Sequence, residues 1–422
     1  DAGGMIIRDI ESRLFASTGQ FPVTVLLGAR QIGKTTLAKS IRDRLERPSI
    51  YLDLEIPSDL QKLSADSFFY LTQQEDKTVI IDEVQRLPEL FPIIRALVDQ
   101  NLTNGRFILL GSAGREILKN ASESLAGRVN YMEMQPVLLS ELNGSQLMRH
   151  LLRGGFPKAF LTEDAAQFKL WFDGFTSSYI ERDLPMLGLT ANPMVVRRLL
   201  LMLASLSGGI VNCADLSKSL GISQPTVKHY IDFLEHAYIV RRLAPYHSNL
   251  GKRLTKTPKL YVRDTGLLHY FLNIFDEEGV LGNPHLGNLF EGYVMQQIIP
   301  NLSYQTVPYF YRTHTGAELD LLLVQASGVK LAIEVKFSSA PTLSKGNYVA
   351  LEDVGRPDLL TVIPSGELYQ KTKGEWIVPV SELHGVLKKY GVVQSYHFHS
   401  SETTFPPPPK RSHNRTSPRV SR

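Results

Sequence analysis

Two short motifs combine glycine, lysine, hydroxyl and carboxylate side chains at spacings that suit chemistry on a polyphosphate. Residues 28–35 read GARQIGKT, so two glycines frame four residues, and a lysine and a threonine follow. Such a turn points backbone N–H groups at the phosphates of ATP, while Lys34 reaches the β- and γ-phosphates and Thr35 binds Mg²⁺. The residues predicted to contact the nucleotide are Gly28, Ala29, Arg30, Gln31, Ile32, Gly33, Lys34, Thr35 and Thr36.

The second motif is an apolar run that ends in two acidic residues. Residues 78–81 read TVII, and Asp82 and Glu83 follow directly. A carboxylate at the end of a strand can hold Mg²⁺, and a second carboxylate beside it can polarise the attacking water. We therefore assign Asp82 to the metal and Glu83 to catalysis. The alternative is a strand that merely ends in solvated acids.

Three further residues are candidates for contacts with the γ-phosphate. Ser112 follows a third apolar run and would sense the γ-phosphate or orient the attacking water. Arg128 is a candidate arginine finger, which is a cation placed against the γ-phosphate, often by a neighbouring subunit. Arg115 is its rival for this role, and the alternative for Arg128 is a surface arginine on a turn.

The elements that must position these residues are visible in the hydrophobic pattern. Residues 21–27 are apolar and rich in β-branched side chains, which predicts a buried strand. Leu37, Ile41 and Leu45 share one face of a predicted helix that begins directly after the glycine turn. A strand, a glycine turn and a helix N-terminus therefore follow one another, which is the arrangement that binds anions.

Length and composition bound the class of protein. The 422 residues suggest two to four domains, and 43% hydrophobic residues suffice for several cores. A single cysteine excludes a disulfide framework, and no apolar run reaches the ~18 residues of a membrane span. We expect a soluble cytoplasmic protein with no signal peptide and no membrane partner.

A helix-turn-helix pattern occupies residues 212–236. Two short amphipathic segments flank the sequence LGIS, with Gly221 at the turn. Ser223 suits the N-cap of the second helix, and Pro225 suits its first turn. Residues 238–246 then have the pattern of a strand that opens a wing, so the segment predicts a winged helix.

The charge of this region favours nucleic acid as a partner. Residues 212–263, which include Lys259, contain nine basic and three acidic residues, a net charge of +6. The alternatives are a protein-docking module or a lid over the nucleotide. Asp264 follows this region, and we expect it to cap the next helix. The residues predicted to contact DNA are Gln224, Thr226, Lys228, Lys252, Arg253 and Lys256.

A second acidic set lies in the C-terminal part of the sequence. Glu291 falls in a predicted helix, Asp320 enters an apolar strand, and Glu334 and Lys336 share one side of the next strand. Asp320 and Glu334 would share a Mg²⁺ or Mn²⁺ ion, Lys336 would orient or deprotonate water, and Glu291 would assist. Three interpretations stay open: the domain cleaves DNA, binds DNA or metal without cleavage, or is a relic whose acids form ion pairs.

The segments GARQIGKTT, VIIDEVQRLPEL, LLGSAGR, ESLAGRV and GGFPKAF resemble the prokaryotic AAA-type ATPases that carry a C-terminal domain of unknown function. This resemblance covers residues 5–390. It implies a parallel α/β core that binds ATP and Mg²⁺, and assembly as a homo-oligomer, such as a hexameric ring. The acidic set of the C-terminal part resembles the constellation of restriction-endonuclease-type nucleases.

We therefore expect an α/β protein with several units. The expected function is a Mg²⁺-dependent ATPase that couples hydrolysis to the binding or remodelling of DNA, including branched or recombining DNA. The alternatives are an ATP-gated, metal-dependent nuclease and a nucleotide-switched signalling or defence hub that binds proteins. The expected units are a P-loop ATPase core (5–145), a helical connector or lid (146–204), a winged helix (205–275), a smaller α/β restriction-endonuclease-like domain (276–390) and a largely disordered tail (391–422).

Overall fold

A computed structural model describes residues 6–112, 125, 127–142, 146–247 and 255–394. The helices of this part, numbered in chain order, are α1 (Ile10–Gln20), α2 (Lys34–Ile41), α3 (Pro57–Thr72), α4 (Leu90–Gln100), α5 (Leu147–Arg153), α6 (Pro157–Phe160), α7 (Ala165–Ser178), α8 (Leu184–Met186), α9 (Pro193–Ser205), α10 (Cys213–Leu220), α11 (Gln224–His236), α12 (Thr265–Leu272), α13 (Glu277–Leu281), α14 (Leu286–Ile298), α15 (Lys345–Asp353) and α16 (Leu383–Lys389). The strands are β1 (Val23–Leu27), β2 (Ser49–Asp53), β3 (Thr78–Asp82), β4 (Phe107–Gly111), β5 (Val129–Glu133), β6 (Gly209–Ile210), β7 (Val240–Leu243), β8 (Lys259–Val262), β9 (Val307–Arg312), β10 (Glu318–Gln325), β11 (Gly328–Val335), β12 (Asp358–Ile363), β13 (Tyr369–Thr372) and β14 (Glu375–Pro379).

The first five strands form one sheet in the order β2-β3-β4-β1-β5, and every neighbouring pair is parallel. Strand β1 lies beside β4, with Leu27 opposite Gly111. Because the strands are parallel, their carboxyl ends meet at one edge of the sheet. Residues 28–33, Glu83 and Ser112 directly follow β1, β3 and β4 at that edge. The predicted parallel α/β core is confirmed.

Alternate residues of this sheet pack into two different cores, because side chains along a strand point to opposite faces. Val25, Ile81 and Leu109 pack on the face that α3 and α4 cover. Leu26 and Ile80 belong to a second core, which also contains buried residues of α1, α2, α5, α7 and α9. The strands that carry the site residues are thus buried on both faces, which fixes the edge at which those residues lie.

The middle of the chain is helical and leads into a small sheet. Helix α7 continues through a π-helical turn (Tyr179–Asp183) into α8. Gly221 ends α10 in the left-handed conformation, and Ser223 caps α11 by accepting a hydrogen bond from the Thr226 N–H. Asp264 caps α12, in line with its predicted role. Strands β6, β8 and β7 form an antiparallel sheet in that order beside α9 and α11.

The C-terminal part is built on a mixed six-stranded sheet in the order β13-β14-β12-β11-β10-β9. Strands β9, β10 and β11 are antiparallel neighbours. Helix α15 then crosses to β12, which pairs in parallel with β11. Helix α14, which carries Glu291, packs against β11. The second α/β unit predicted from the sequence is therefore present, and its sheet is rich in antiparallel pairs.

The folded structure extends beyond residue 390, where we expected the tail to begin. Val392 and Val393 are buried, and Val393 forms an isolated β-bridge with Leu302. The burial of these two apolar side chains in the core explains why the folded part continues past residue 390, because burial favours order. Residues 395–422 lie outside the described residues. Within the described part of the chain, no helix is long and apolar enough to span a bilayer.

Candidate functional site

The segment between β1 and α2 wraps into a loop that depends on backbone conformations with positive φ. The φ angles are +151° at Gly28, +61° at Gln31 and +99° at Gly33. A Cβ atom on Gly28 would lie 2.4 Å from the carbonyl oxygen of Met134, so only glycine fits there. Helix α2 begins directly after the loop, and its first N–H groups have no partner within the helix. The local geometry therefore suits an anion.

Lys34 is buried at the start of α2, and its ammonium group lies inside the loop. Nζ donates hydrogen bonds to the carbonyl oxygens of Gly28 at 2.9 Å and of Ala29 at 2.7 Å. Burial lowers the pKa of Lys34 to about 8, although Glu83 and Asp82 oppose this shift. Phosphate groups bound in the loop would add negative charge and favour the protonated ammonium form.

Thr35 and Asp82, the two residues predicted to hold Mg²⁺, are in direct contact. The Thr35 hydroxyl donates to Asp82 Oδ2 at 2.5 Å, and the Tyr51 hydroxyl donates to the same oxygen at 2.6 Å. The N–H of Glu83 donates to Asp82 Oδ1 at 2.9 Å. Tyr51 lies on β2, opposite Ile80 of β3. Tyr51 was not predicted from the sequence, because only the pairing of β2 with β3 brings it to Asp82.

Glu83 is held at the sheet edge by two polar neighbours. Its backbone has a φ of +55°, which is uncommon for a residue other than glycine and turns the chain sharply after β3. The Ser112 hydroxyl donates to Glu83 Oε2 at 2.9 Å, and Gln85 Nε2 donates to the same carboxylate. Gln85 Nε2 also lies 2.8 Å from Ser112 Oγ. Gln85 was not predicted, and it links the two residues that were.

Two arginine side chains tie the loop to distant parts of the chain. Arg8 Nη1 donates to the carbonyl oxygen of Ile32 at 2.9 Å. Arg30, which we predicted to contact the nucleotide, forms ion pairs with Glu55 at 2.6 Å and with Asp183 in the π-helical turn. No local sequence pattern signals these contacts, because the partners are far apart in the chain.

The other predicted contact residues of the loop differ in exposure. Ala29 and Ile32 are buried in the core that contains α2, so their side chains stabilise the loop from within the protein. Gln31 and Thr36 are exposed and are accessible to a ligand.

Arg128 lies at the opposite edge of the sheet from the loop. Its carbonyl oxygen accepts a hydrogen bond from Val23, the first residue of β1, whereas the loop follows Leu27, the last residue. Its guanidinium group pairs with Asp99 on α4. Five extended residues span roughly 16 Å, so a finger role for Arg128 requires a neighbouring subunit. Arg115, its rival, lies outside the described residues.

The donor set at this edge fits a magnesium nucleotide. A hydroxyl of Thr35 and a carboxylate of Asp82 are the oxygen ligands that Mg²⁺ prefers. Lys34 and the N–H groups at the start of α2 supply the positive charge and the donors that phosphates need. Thr35 and Asp82 would therefore hold the metal, and Glu83 follows Asp82 directly at the same edge.

The predicted DNA-contacting residues of α11 lie near its N-terminal end. Gln224 and Lys228 are exposed, and Thr226 is half-buried with its hydroxyl 2.7 Å from that of Ser223. Lys256 is also exposed. The remaining two predicted contacts, Lys252 and Arg253, lie outside the described residues.

The charge count of this region overstates the charge that a ligand can reach. Arg242 pairs with Asp232 at 2.6 Å, and Arg263 donates to Gln135 at 2.6 Å. Lys259 is only 3% exposed, so it is not the phosphate contact that the basic patch suggested. The basic residues of the patch whose side chains are engaged inside the protein are Arg241, Arg242, Lys259 and Arg263.

The acidic set of the C-terminal domain surrounds a lysine. Glu291 and Asp320 lie 2.9 Å and 3.8 Å from the ammonium group of Lys259. Burial and the neighbouring Asp320 raise the pKa of Glu334, whose carboxylate pairs with Lys336 at 2.7 Å. Among the residues that the structure describes, no group of three or more His, Cys, Asp and Glu side chains could hold a metal ion.

The fold and the loop geometry together define an AAA-type P-loop ATPase domain. A family model described as an AAA domain matches residues 20–143. Two models described as domains of unknown function, DUF8612 and DUF4143, match residues 144–278 and 286–383. The chain belongs to the family of AAA-type ATPases that carry the C-terminal domain of unknown function DUF4143.

Relatives extend the similarity over most of the chain. Uncharacterized proteins of Mycobacterium tuberculosis and Mycobacterium bovis are each 37% identical over 376 residues, which is 89% of this chain and 84% of the relative. An uncharacterized protein of Haemophilus influenzae is 25% identical over 275 residues, or 58% of this chain and 68% of the relative. The solved structure of a Walker-type ATPase of Pyrococcus abyssi aligns with 64% of this chain and 96% of its own, at 18% identity and a TM-score of 0.42.

Proposed function

We propose that the protein hydrolyses ATP to ADP and phosphate in a Mg²⁺-dependent reaction at the edge of the parallel sheet. The observation that carries this proposal is the direct contact of Thr35 with Asp82 beside the glycine loop. That contact joins the start of α2 to the end of β3, which are the two places from which a phosphate and its metal are held.

Each side chain has a distinct role in this proposal. Lys34 and the loop N–H groups bind the phosphates, and Thr35 and Asp82 hold the metal. Bound Mg²⁺ neutralises the charge on the β- and γ-phosphates. Glu83 accepts a proton from the attacking water, and Ser112 and Gln85 orient its carboxylate through their hydrogen bonds.

The test is phosphate release from ATP with and without Mg²⁺, in the wild type and in a Lys34→Ala variant. The expected result is Mg²⁺-dependent release that Lys34→Ala abolishes together with nucleotide binding. The control is Lys62→Ala, which removes an exposed lysine of α3 that pairs with Asp59. ATP binding by Lys34→Ala at the wild-type affinity would refute the proposal.

We further propose that the segment from β6 to β8 is a winged helix that binds DNA, and that hydrolysis is coupled to binding or remodelling of DNA. Exposed Gln224 and Lys228 near the N-terminal end of α11 support this role, because a recognition helix contacts bases from such positions. The partners proposed are ATP and DNA. The proposed unit boundaries are the residue ranges expected from the sequence, with the last domain extended to residue 394.

Salt dependence separates DNA binding from the alternative of a nucleotide-switched hub that binds proteins. The proposal predicts that DNA affinity falls steeply as the salt concentration rises, since phosphate contacts release counter-ions. In a plot of the logarithm of DNA affinity against the logarithm of salt concentration, Lys228→Ala should reduce the slope by about one. Affinity that is absent, or that does not change with salt, would favour the protein-binding hub.

A further inference from the structure

Strand β8 directs two side chains at the acidic cluster of the C-terminal domain. Lys259 and Tyr261 are two residues apart, so they point to the same side of the strand. Lys259 Nζ forms ion pairs with Glu291 Oε1 at 2.9 Å and with Glu318 Oε1 at 2.8 Å. The Tyr261 hydroxyl donates to the same oxygen of Glu291 at 2.6 Å. Two side chains of β8, a strand of the three-stranded sheet, therefore contact the acidic cluster of the C-terminal domain.

The ammonium group of Lys259 is enclosed. The side chain is 3% exposed, Asp320 Oδ1 lies 3.8 Å from Nζ, and the ring of Phe310 lies 5.6 Å from it. Burial opposes the charged form of Lys259, but Glu291, Asp320 and Glu318 outweigh burial and raise its pKa. A buried charge is tolerated only when it is paired. Lys259 therefore supplies positive charge at the centre of the cluster.

The ammonium group of Lys259 lies between carboxylates from two different elements. Hard cations take carboxylate oxygens from several elements, and here α14 contributes Glu291 while β10 contributes Asp320. Asp320 uses its other oxygen to accept a hydrogen bond from the Val335 N–H at 2.9 Å. A divalent cation bound to Glu291 and Asp320 would lie close to the ammonium group of Lys259, and two positive charges this near to each other in a buried site repel strongly. The two cations therefore exclude each other.

We propose that Lys259 is the built-in counter-ion of the C-terminal acidic cluster. It excludes a divalent cation from Glu291 and Asp320, and it fixes strand β8 on the C-terminal domain. This inference is independent of ATP hydrolysis, because it concerns a different site. It favours the interpretation in which this domain is a relic whose acids form ion pairs.

The experiment removes the ammonium group and asks whether a metal ion replaces it. Lys259→Met keeps a similar unbranched apolar stem but removes the ammonium group from the acids, so the melting temperature should fall by about 5–10 °C. Mn²⁺ should restore much of this loss by binding the freed carboxylates. The matched control is Lys330→Met, which changes an exposed lysine of β11 in the same way and should alter neither quantity. All proteins carry Asp82→Asn, so that the ATP site contributes no metal binding.

A second measurement covers the case in which Lys259→Met does not fold. The Asp82→Asn protein with Lys259 intact is titrated with Mn²⁺, with and without the additional change Asp320→Asn. The expected result is the same Mn²⁺ binding in both proteins, because Lys259 keeps the cluster free of metal. Mn²⁺ binding that Asp320→Asn removes would overturn the proposal. So would a Lys259→Met protein that is as stable as the Lys330→Met control, or one that is destabilised and does not respond to Mn²⁺.

Discussion

Asp82 accepts hydrogen bonds on both carboxylate oxygens, and Tyr51 is one of its donors. Burial and the hydrogen bond to Asp82 raise the pKa of Tyr51, so the hydroxyl stays protonated at neutral pH. The carboxylate is therefore held in one orientation beside Thr35. In the proposed magnesium site, Tyr51 would therefore orient the carboxylate of Asp82 without binding the metal itself.

Tyr51→Phe should weaken the ATP site without abolishing it. Removing one hydrogen bond to a carboxylate costs about 1–2 kcal/mol, which corresponds to about a 5- to 30-fold lower kcat/KM for ATP. Steady-state phosphate release as a function of ATP and Mg²⁺ concentration measures this change. Tyr304→Phe, at a tyrosine that is 89% exposed, is the control and should have no effect. An unchanged kcat/KM in Tyr51→Phe would show that the hydroxyl does not support Asp82.

Local sequence patterns correctly predicted the helix starts and helix caps that depend on nearby residues. The strand before the loop, the start of α2 at Lys34 and the caps at Ser223 and Asp264 all depend on neighbours within a few residues. The order of the strands and the contact of Arg30 with Asp183 depend on pairing across the fold. Such contacts leave no pattern in the sequence, since each partner alone is an ordinary polar residue.

Helices α5 and α12 are joined by a buried histidine that should make stability depend on pH. His269 Nδ1 lies 3.0 Å from the carbonyl oxygen of Leu152, and its Nε2 has no hydrogen-bond partner. Burial lowers the pKa of His269 to about 4. Because the unfolded chain binds a proton near pH 6.5 and the folded chain does not, stability is lost as the pH falls from 6.5 towards 4.

His269→Asn removes the titrating group and keeps a donor for Leu152. The wild type should therefore lose about 2 kcal/mol more stability than this variant between pH 7 and pH 5. Urea denaturation at both pH values measures the difference. Burial raises the pKa of the nearby Asp264 to about 6, and this opposite contribution is common to both proteins. Equal losses in the two proteins would mean that His269 is not buried in its neutral form.

The distribution of accessible charge over the folded molecule could not be inferred from the sequence. The nine basic residues of the middle region suggested one patch, yet four of their side chains are used to join parts of the fold. Arg263 reaches Gln135 at the sheet edge, and Lys259 reaches the C-terminal domain. Net charge over a segment therefore predicts a partner only when the side chains are also exposed.

Arg128 lies at the end of β1 that is remote from the glycine loop of its own chain, and it pairs with Asp99. We propose a homo-oligomer, such as a hexameric ring, in which Arg128 of one subunit contacts ATP held by the next. Arg128→Ala should reduce hydrolysis at least 100-fold without changing ATP affinity. Asp99→Ala breaks the same ion pair but keeps the arginine, so it should retain activity.

Mixing two inactive variants tests the shared site directly. Arg128→Ala subunits keep the loop and Lys34→Ala subunits keep the arginine, so a mixed interface contains one intact site. Hydrolysis should reappear when the two are combined and should be absent from either alone. A mixture that stays inactive, or an Arg128→Ala protein with wild-type activity, would exclude the finger role.

We propose that the edge of the parallel sheet binds ATP and that Glu83 acts as the base in its hydrolysis. The most direct test measures ATP affinity and single-turnover hydrolysis on the same Glu83→Gln protein. We expect an affinity within about threefold of the wild type and hydrolysis slower by at least 100-fold. Hydrolysis at more than half the wild-type rate would show that Glu83 is not the base, and a wild-type protein that does not bind ATP would refute the proposed site.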